Sequence, residues 1–346
     1  MRESIHLVRA ADEQEWNRWL EPADHDFYHT AAYHRFAEQS GEGEGLLAAC
    51  GTAERYLAWP YLLRRLPERP LCDVTSVYGY PGPLAFGCSR SDPFLDRAWR
   101  EMADLWRSQN VVSVFTRFHP LLENHRWASG AVEAGESVSI DLTASERDNW
   151  HDYQPGLRNR IHHGRRLGLR TEIDESWSRL DDFVSFYHAT MARNHALPCY
   201  FFPLDYFRNL KRALGARACL MLTRLGCDIA AAGIFVEHRG IIQNHFCINN
   251  EAHRRLAPSK VLLDDVRLWA RSRSARVFHL GGGRSGARDS LYVFKAAFSR
   301  RRHPFYTGRW ILDPDAYQSL CRGVPSGDFF PAYRAPRAST ETLQTI

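Results

Sequence analysis

Three strand-like runs follow one another with no helix between them, at residues 218–224, 229–237 and 240–248. Apolar stretches of this length, bounded by turn residues, read as strands. Connections this short allow only antiparallel neighbours, because a parallel crossover needs a dozen residues or more. The run therefore excludes an all-helical chain and a doubly wound parallel sheet.

Helical periodicity surrounds this core. A basic stretch at 157–168 precedes a strand at 169–173, and 180–194 is a helix with Phe183, Phe186, Tyr187 and Met191 on one face. A further helix covers 204–214. After the strands, Pro258 stands at a helix start, where its missing N–H is harmless, and the helix runs over 259–273. A strand at 276–280, a glycine loop, a helix at 289–298 and a last strand at 305–312 complete the order. The first half reads as mixed α/β, with helices at 12–20, 30–39 and 94–109 and strands at 46–50, 56–62, 111–118 and 137–142. The segment Val77-Tyr78-Gly79-Tyr80-Pro81-Gly82-Pro83-Leu84 is too rich in Gly and Pro for a helix. Ser145-Glu146 opens a helix, which places a domain boundary near 145. A length of 346 residues suits two domains, 1–145 and 146–346.

Charge divides along the same line. Residues 1–145 hold 14 Arg and no Lys against 21 acids, and the remainder holds 31 basic against 19 acidic residues. The second half thus carries the charge to meet a polyanion. Lysine is scarce: only Lys211, Lys260 and Lys295 stand beside 42 arginines. The eight cysteines include no C-x-x-C pair, so neither a metal site nor another cofactor is expected. No apolar run reaches the roughly 18 residues of a membrane span. The opening Met1-Arg2-Glu3-Ser4-Ile5-His6 lacks a signal-peptide core, and a cytoplasmic protein is expected.

The order helix, helix, antiparallel strands, helix, strand, helix, strand is that of a GNAT acyltransferase lobe. Four segments within 146–320 resemble the Fem family of aminoacyl-tRNA-dependent transferases. Leu157-Arg158-Asn159-Arg160-Ile161 resembles the family's R-N-x-I-R-K-A helix, with His162 and His163 at positions where it has basic residues. Tyr187 to Asn194, followed by Tyr200-Phe201-Phe202, is similar to its helix and aromatic tail. Asn244-His245-Phe246 with Leu256-Ala257-Pro258-Ser259-Lys260 is similar to its central strand and helix start. Most specific is His279-Leu280-Gly281-Gly282-Gly283 followed by Asp289-Ser290-Leu291-Tyr292-Val293-Phe294-Lys295, which resembles its glycine loop and F-K helix. Tyr80-Pro81-Gly82-Pro83 is a weaker echo in the first half. The resemblance implies two GNAT-like α/β lobes with mixed sheets, packed together. The first would face an amine acceptor, and the second would bind aminoacyl-tRNA and carry the chemistry.

Transfer of an aminoacyl group from a tRNA ester to an amine needs orientation, charge stabilisation and the handling of one proton. By the resemblance, Lys295 is the cation beside the ester. His245 is a candidate for the proton and equally for a structural role, and Asp289 is a candidate that capping explains as well. Tyr78, Tyr80, Arg193, Asn194 and Arg284 are candidate substrate contacts. Arg158, Arg165, Arg166, Arg300, Arg301 and Arg302 suit tRNA phosphates, and the N–H groups of Ser259 and Lys260 suit one phosphate at a helix start.

Gly281-Gly282-Gly283-Arg284-Ser285-Gly286 satisfies G-x-G-x-x-G, but it follows antiparallel strands late in the chain, which speaks against a dinucleotide. Residues 254–260 lack the glycines with which a standard GNAT lobe cradles the CoA pyrophosphate. The expected reaction joins an amino acid from tRNA to a small natural product or peptidoglycan precursor as an amide. An acyl-CoA-dependent N-acyltransferase of polysaccharide or lipid synthesis, and a non-catalytic nucleic-acid-binding lobe, remain the alternatives.

Overall fold

A computed structural model describes residues 5–335 except 68 and 326; Met1 to Ser4 lie outside the described residues. The first half supplies β1 (Ile5–Arg9), α1 (Glu13–Leu20), α2 (Ala31–Gln39), β2 (Glu44–Gly51), β3 (Tyr56–Arg65), β4 (Cys72–Thr75), β5 (Leu84–Phe86), α3 (Pro93–Ser108), β6 (Val111–Arg117) and β7 (Ala131–Asp141). The second half adds α4 (Glu146–Asp152), α5 (Pro155–Arg166), β8 (Arg170–Ile173), α6 (Leu180–Arg193), α7 (Leu204–Leu214) and the meander β9 (Ala218–Leu225), β10 (Asp228–His238) and β11 (Ile241–Asn249). It ends with α8 (Pro258–Ser272), β12 (Val277–Gly282), α9 (Ser290–Ala296), β13 (Arg302–Ile311) and α10 (Pro314–Leu320).

Helix starts follow local chemistry. The side chains of Asp12, Thr30, Asp92, Ser145, Asp289 and Asp313 each accept a backbone N–H in the first turn of the following helix. The expected helices and strands are all present, with ends displaced by a few residues. β1, β4, β5 and α10 were not expected. The three strands are short, with five, four and three residues, so tertiary pairing rather than local pattern makes them strands.

One sheet of mixed direction runs through both lobes in the order β1-β2-β3-β4-β6-β13-β7-β12-β11-β10-β9-β8, with β5 paired to β3. β13 returns from the end of the chain to lie between β6 and β7. Its Trp310 packs 4.8 Å from Trp99 and 5.7 Å from Trp59, ring to ring, in the first-lobe core. The lobes also share a core: Phe27, Tyr28, Tyr33 and Phe36 pack with Phe183, Tyr206, Phe207 and Phe246. Burial of so many large rings holds the seam between the lobes together. Among the described residues no helix is long and apolar enough to cross a membrane.

Candidate active site

The seam opens where two strands part. β11 and β12 pair in parallel only from Ile241↔Val277 to Gln243↔His279. Beyond that point β11 stays with β10, while β12 shifts register at His279/Gly281 and continues along β7. Asn244 Nδ2 donates 3.3 Å across the split to the Leu280 carbonyl. A cleft of about 560 Å³ opens there, lined by both lobes, a size suited to a small-molecule ligand.

Lys295, on the last turn of α9, reaches into this cleft and donates from Nζ to the Gly282 carbonyl at 2.7 Å. Burial lowers its pKa to about 8, although the Cys247 thiol and Asp289 pull the other way. Gly281 makes room for it. At φ +81°, a Cβ on Gly281 would lie 3.1 Å from Lys295 Nζ and 3.9 Å from the Tyr80 hydroxyl. The amine and the phenol therefore flank one bare patch of backbone on the cleft floor.

His245 is the extra residue of a bulge in β11, opposite Ile234 and Phe235, and it lines the cleft. Bulges beside functional sites re-aim side chains in this way. Phe27, Tyr28, Tyr33, Tyr78 and Phe246 surround its ring, and Nε2 has no hydrogen-bond partner. Burial pushes its pKa down to about 3. The imidazole is neutral at physiological pH, able to orient a polar group but poorly suited to hold a proton.

Beneath the split lies a polar chain with no counterpart in the sequence reading. His119 Nδ1 accepts the N–H groups of Leu121 and Leu122, each at 3.2 Å, so Nε2 bears the proton and donates to Asp26 Oδ2 at 2.9 Å. Gln243 Nε2 donates to the same oxygen at 2.7 Å. That fixes the amide orientation, and Gln243 Oε1 accepts from His279 Nδ1 at 2.7 Å. His279 Nε2 is left bare and unpartnered. Burial alone would raise the Asp26 pKa; the bonds from His119 and Gln243 outweigh it and lower the value. Gln243 and His279 are the last paired residues before the split, so a buried carboxylate from the first lobe anchors the fork in the second.

Residues 151–295 match the family model of the acetyltransferase (GNAT) domain. The crystal structure of FemX superposes with a TM-score of 0.68 at 13% identity, covering 91% of this chain and 99% of that one. The chain has a Fem-like fold and carries a GNAT-domain match over residues 151–295. A C-terminal DUF2156 domain assigned to a lysylphosphatidylglycerol synthetase from Agrobacterium fabrum matches at a TM-score of 0.56 and 16% identity, over 90% of this chain and 94% of that one. L-PGS from Bacillus licheniformis matches at 0.50 and 12%, over 86% and 91%. No curated protein matches the sequence. The matched domain is an acyltransferase domain, and the cleft lies at the parting of its central strands.

Of the residues expected at the site, Tyr78, Tyr80, Asn194, His245, Arg284 and Lys295 line this one cleft. Arg193 is instead drawn to Glu251, away from the cleft lining. Asp289 caps α9 through the Tyr292 N–H and pairs with Arg284 at 2.7 Å, so its role in the fold is structural. Ser259 and Lys260 do not offer free N–H groups: the first is bound to Asn249 Oδ1 and the second to the Ala257 carbonyl, both at 3.0 Å. Arg165 is held by Asp264 and Asp265 between α5 and α8. Arg300 pairs with Asp152, Arg301 with Asp141, and Arg302 donates to the carbonyls of Ser299, Arg301 and Ala296. Arg158 and Arg166 make no ion pair among the described residues and stand on the outer side of α5. Arg117, which the sequence reading did not select, also lines the cleft. An arginine at the end of a buried strand carries no local signal of its own.

Proposed function

We propose that this chain is an aminoacyltransferase that moves an amino acid from aminoacyl-tRNA to an amine acceptor, forming an amide. The placement of Lys295 carries the reading: one amine, partly buried, held at the fork of the central strands. In its charged form Lys295 meets the oxyanion that develops when the acceptor nitrogen attacks the ester carbonyl. The N–C bond forms, the C–O ester bond breaks, and the amine's proton ends on the departing ribose oxygen. Neutral His245 orients the acceptor. We assign the acceptor side to residues 1–145 and the donor side to 146–346.

Two observations favour tRNA over acyl-CoA as donor. The turn before α8 offers no free amide at Ser259 or Lys260 for a pyrophosphate. Lys260 feels the like charge of Arg160, and neither has a carboxylate partner among the described residues, which leaves basic surface for a phosphate backbone. Exposed pairs such as Arg300–Asp152 are weak enough to exchange for phosphate. The fold relatives include the C-terminal domain assigned to a lysylphosphatidylglycerol synthetase, whose named product carries a lysyl group.

The deciding experiment incubates the purified chain with mixed charged tRNAs and a panel of amines, read by mass spectrometry. Amide products that vanish after RNase treatment are expected. Products that form from acyl-CoA and survive RNase would replace this reading with CoA-dependent acylation.

A further inference from the structure

Four charged side chains line the cleft: Arg117, Glu136, Arg284 and Lys295. Three are matched within the fold. Glu136 is 2.9 Å from Arg288 and accepts the Tyr292 hydroxyl at 2.6 Å, Arg284 pairs with Asp289 at 2.7 Å, and Lys295 donates to Gly282. Arg117 is not. It makes no ion pair or hydrogen bond with any described residue, and its guanidinium carbon lies only over the ring of Phe115, 5.0 Å away, on its own strand. Its electrostatic neighbours are the phenols of Tyr200, Tyr80 and Tyr78 and the like charge of Arg64, which is committed to Asp73 at 2.6 Å. Glu42 lies within electrostatic range but not in contact, and burial raises its pKa to about 7, so it is an incomplete counter-charge at neutral pH.

A guanidinium cannot shed its charge. Holding one half-buried without a partner is unfavourable, and a guanidinium lining a cleft offers N–H donors suited to a planar anion. We propose that Arg117 is the anion-binding subsite of the acceptor, which carries a carboxylate or phosphate at the end opposite its reacting amine. This rests on the amide-forming reading above. The acceptor rather than the donor is assigned because β6, which carries Arg117, is three strands from β12, which carries Gly282. Both side chains line the same cleft, and Tyr80 lies between them: its hydroxyl is 3.9 Å from a Cβ placed on Gly281 and is an electrostatic neighbour of Arg117. One ligand can therefore set its amine near Lys295 and its anion at Arg117.

The test needs no acyl donor, so it is separate from the reaction itself. Ligand-observed NMR titrations of the full chain would compare trialanine, trialanine C-terminal amide and 6-aminohexyl phosphate. Trialanine is expected to bind at least about tenfold more tightly than its amide, as a charge-assisted pair implies. A tighter phosphate probe would assign the anion as phosphate. In Arg117→Gln the preference should vanish while Tm holds or rises, since no internal partner is lost; Arg117→Lys should retain part of it. Equal binding of acid and amide to the native chain, or a preference that survives in Arg117→Gln, would overturn the subsite. If the preference is found but no donor supports transfer, the subsite stands and the aminoacyl reading falls. Transfer without the preference means the reverse.

Discussion

Lys295 shows how far a single residue can be read. Its rarity in an arginine-rich chain and its place in the F-K segment mark it from sequence alone, but neither says where its nitrogen lies. The Gly282 carbonyl, thirteen positions earlier, gives it that position. A lysine pulled from its ordinary value to about 8 weakens the fold wherever it remains charged. Between pH 8 and its unfolded value near 10.4, the unfolded chain binds the extra proton, so stability attributable to this residue increases as pH rises through that window. At pH 7 the penalty is fully present. Lys295→Met should therefore stabilise the protein by on the order of 1–2 kcal/mol in thermal unfolding, while reducing transfer by about 100-fold or more, as lost oxyanion donors do. Native activity should decline above about pH 8 as the ammonium is lost. A Lys295→Met protein that loses stability and keeps its activity would assign the residue to packing instead. His245 and Arg117 mark the limit of legibility. The bulge that turns His245 into the cleft, and the solitude of Arg117, arise from pairings that no local pattern encodes.

At the scale of elements, several helix starts are legible because a capping side chain stands before the helical period, as at Asp12, Thr30 and Asp92. The glycine loop after β12 was legible only as a form. It meets a dinucleotide fingerprint letter for letter, yet its first glycine serves the floor of an acyl-transfer cleft. Gly281 adopts φ +81°, and a methyl there would stand 3.1 Å from Lys295 Nζ. A side chain at this φ is strained in any case, by on the order of 1 kcal/mol. Gly281→Ala is accordingly expected to lower stability by about 1 kcal/mol and to reduce kcat by at least about tenfold, because small displacements of catalytic groups are costly. Parallel measurements of Tm and kcat separate the two effects. A tenfold loss of kcat with the lysine's pH dependence unchanged would show that Gly281 does not position Lys295. What sequence does not disclose is the anchor of the fork. Gln243 and His279 look like ordinary strand residues, and only the Asp26 carboxylate, 217 positions from Gln243, explains why a polar pair closes the last rung.

For the molecule as a whole, chain length and the helix opening after 145 point to two lobes, but the strand order shows that they are not separable bodies. β13 is hydrogen-bonded to β6 and β7, and the shared aromatic core crosses the seam. Burial pushes several histidines down: His34, His238 and His303 to about 4, His245 to about 3, and His29 and His279 well below the ordinary value. The unfolded chain takes up protons near pH 6.5 that the folded chain refuses until about 4 or lower. Stability from these groups is thus complete above pH 6.5 and drains as pH falls from there to about 4. Each such histidine contributes at most about 1.4 kcal/mol per pH unit, so even two acting over two units would remove about 5 kcal/mol, comparable to a whole domain's margin of roughly 5–15. Carboxylates such as Asp26, with its pKa lowered, add their own loss only below their ordinary range near 3.8. Acid unfolding should therefore begin near pH 6, well before carboxylates titrate. Because β13 and the aromatic core join both lobes, circular dichroism and tryptophan fluorescence should report one coincident transition. Tm unchanged down to pH 4.5, or two resolved transitions, would mean that the seam does not couple the halves.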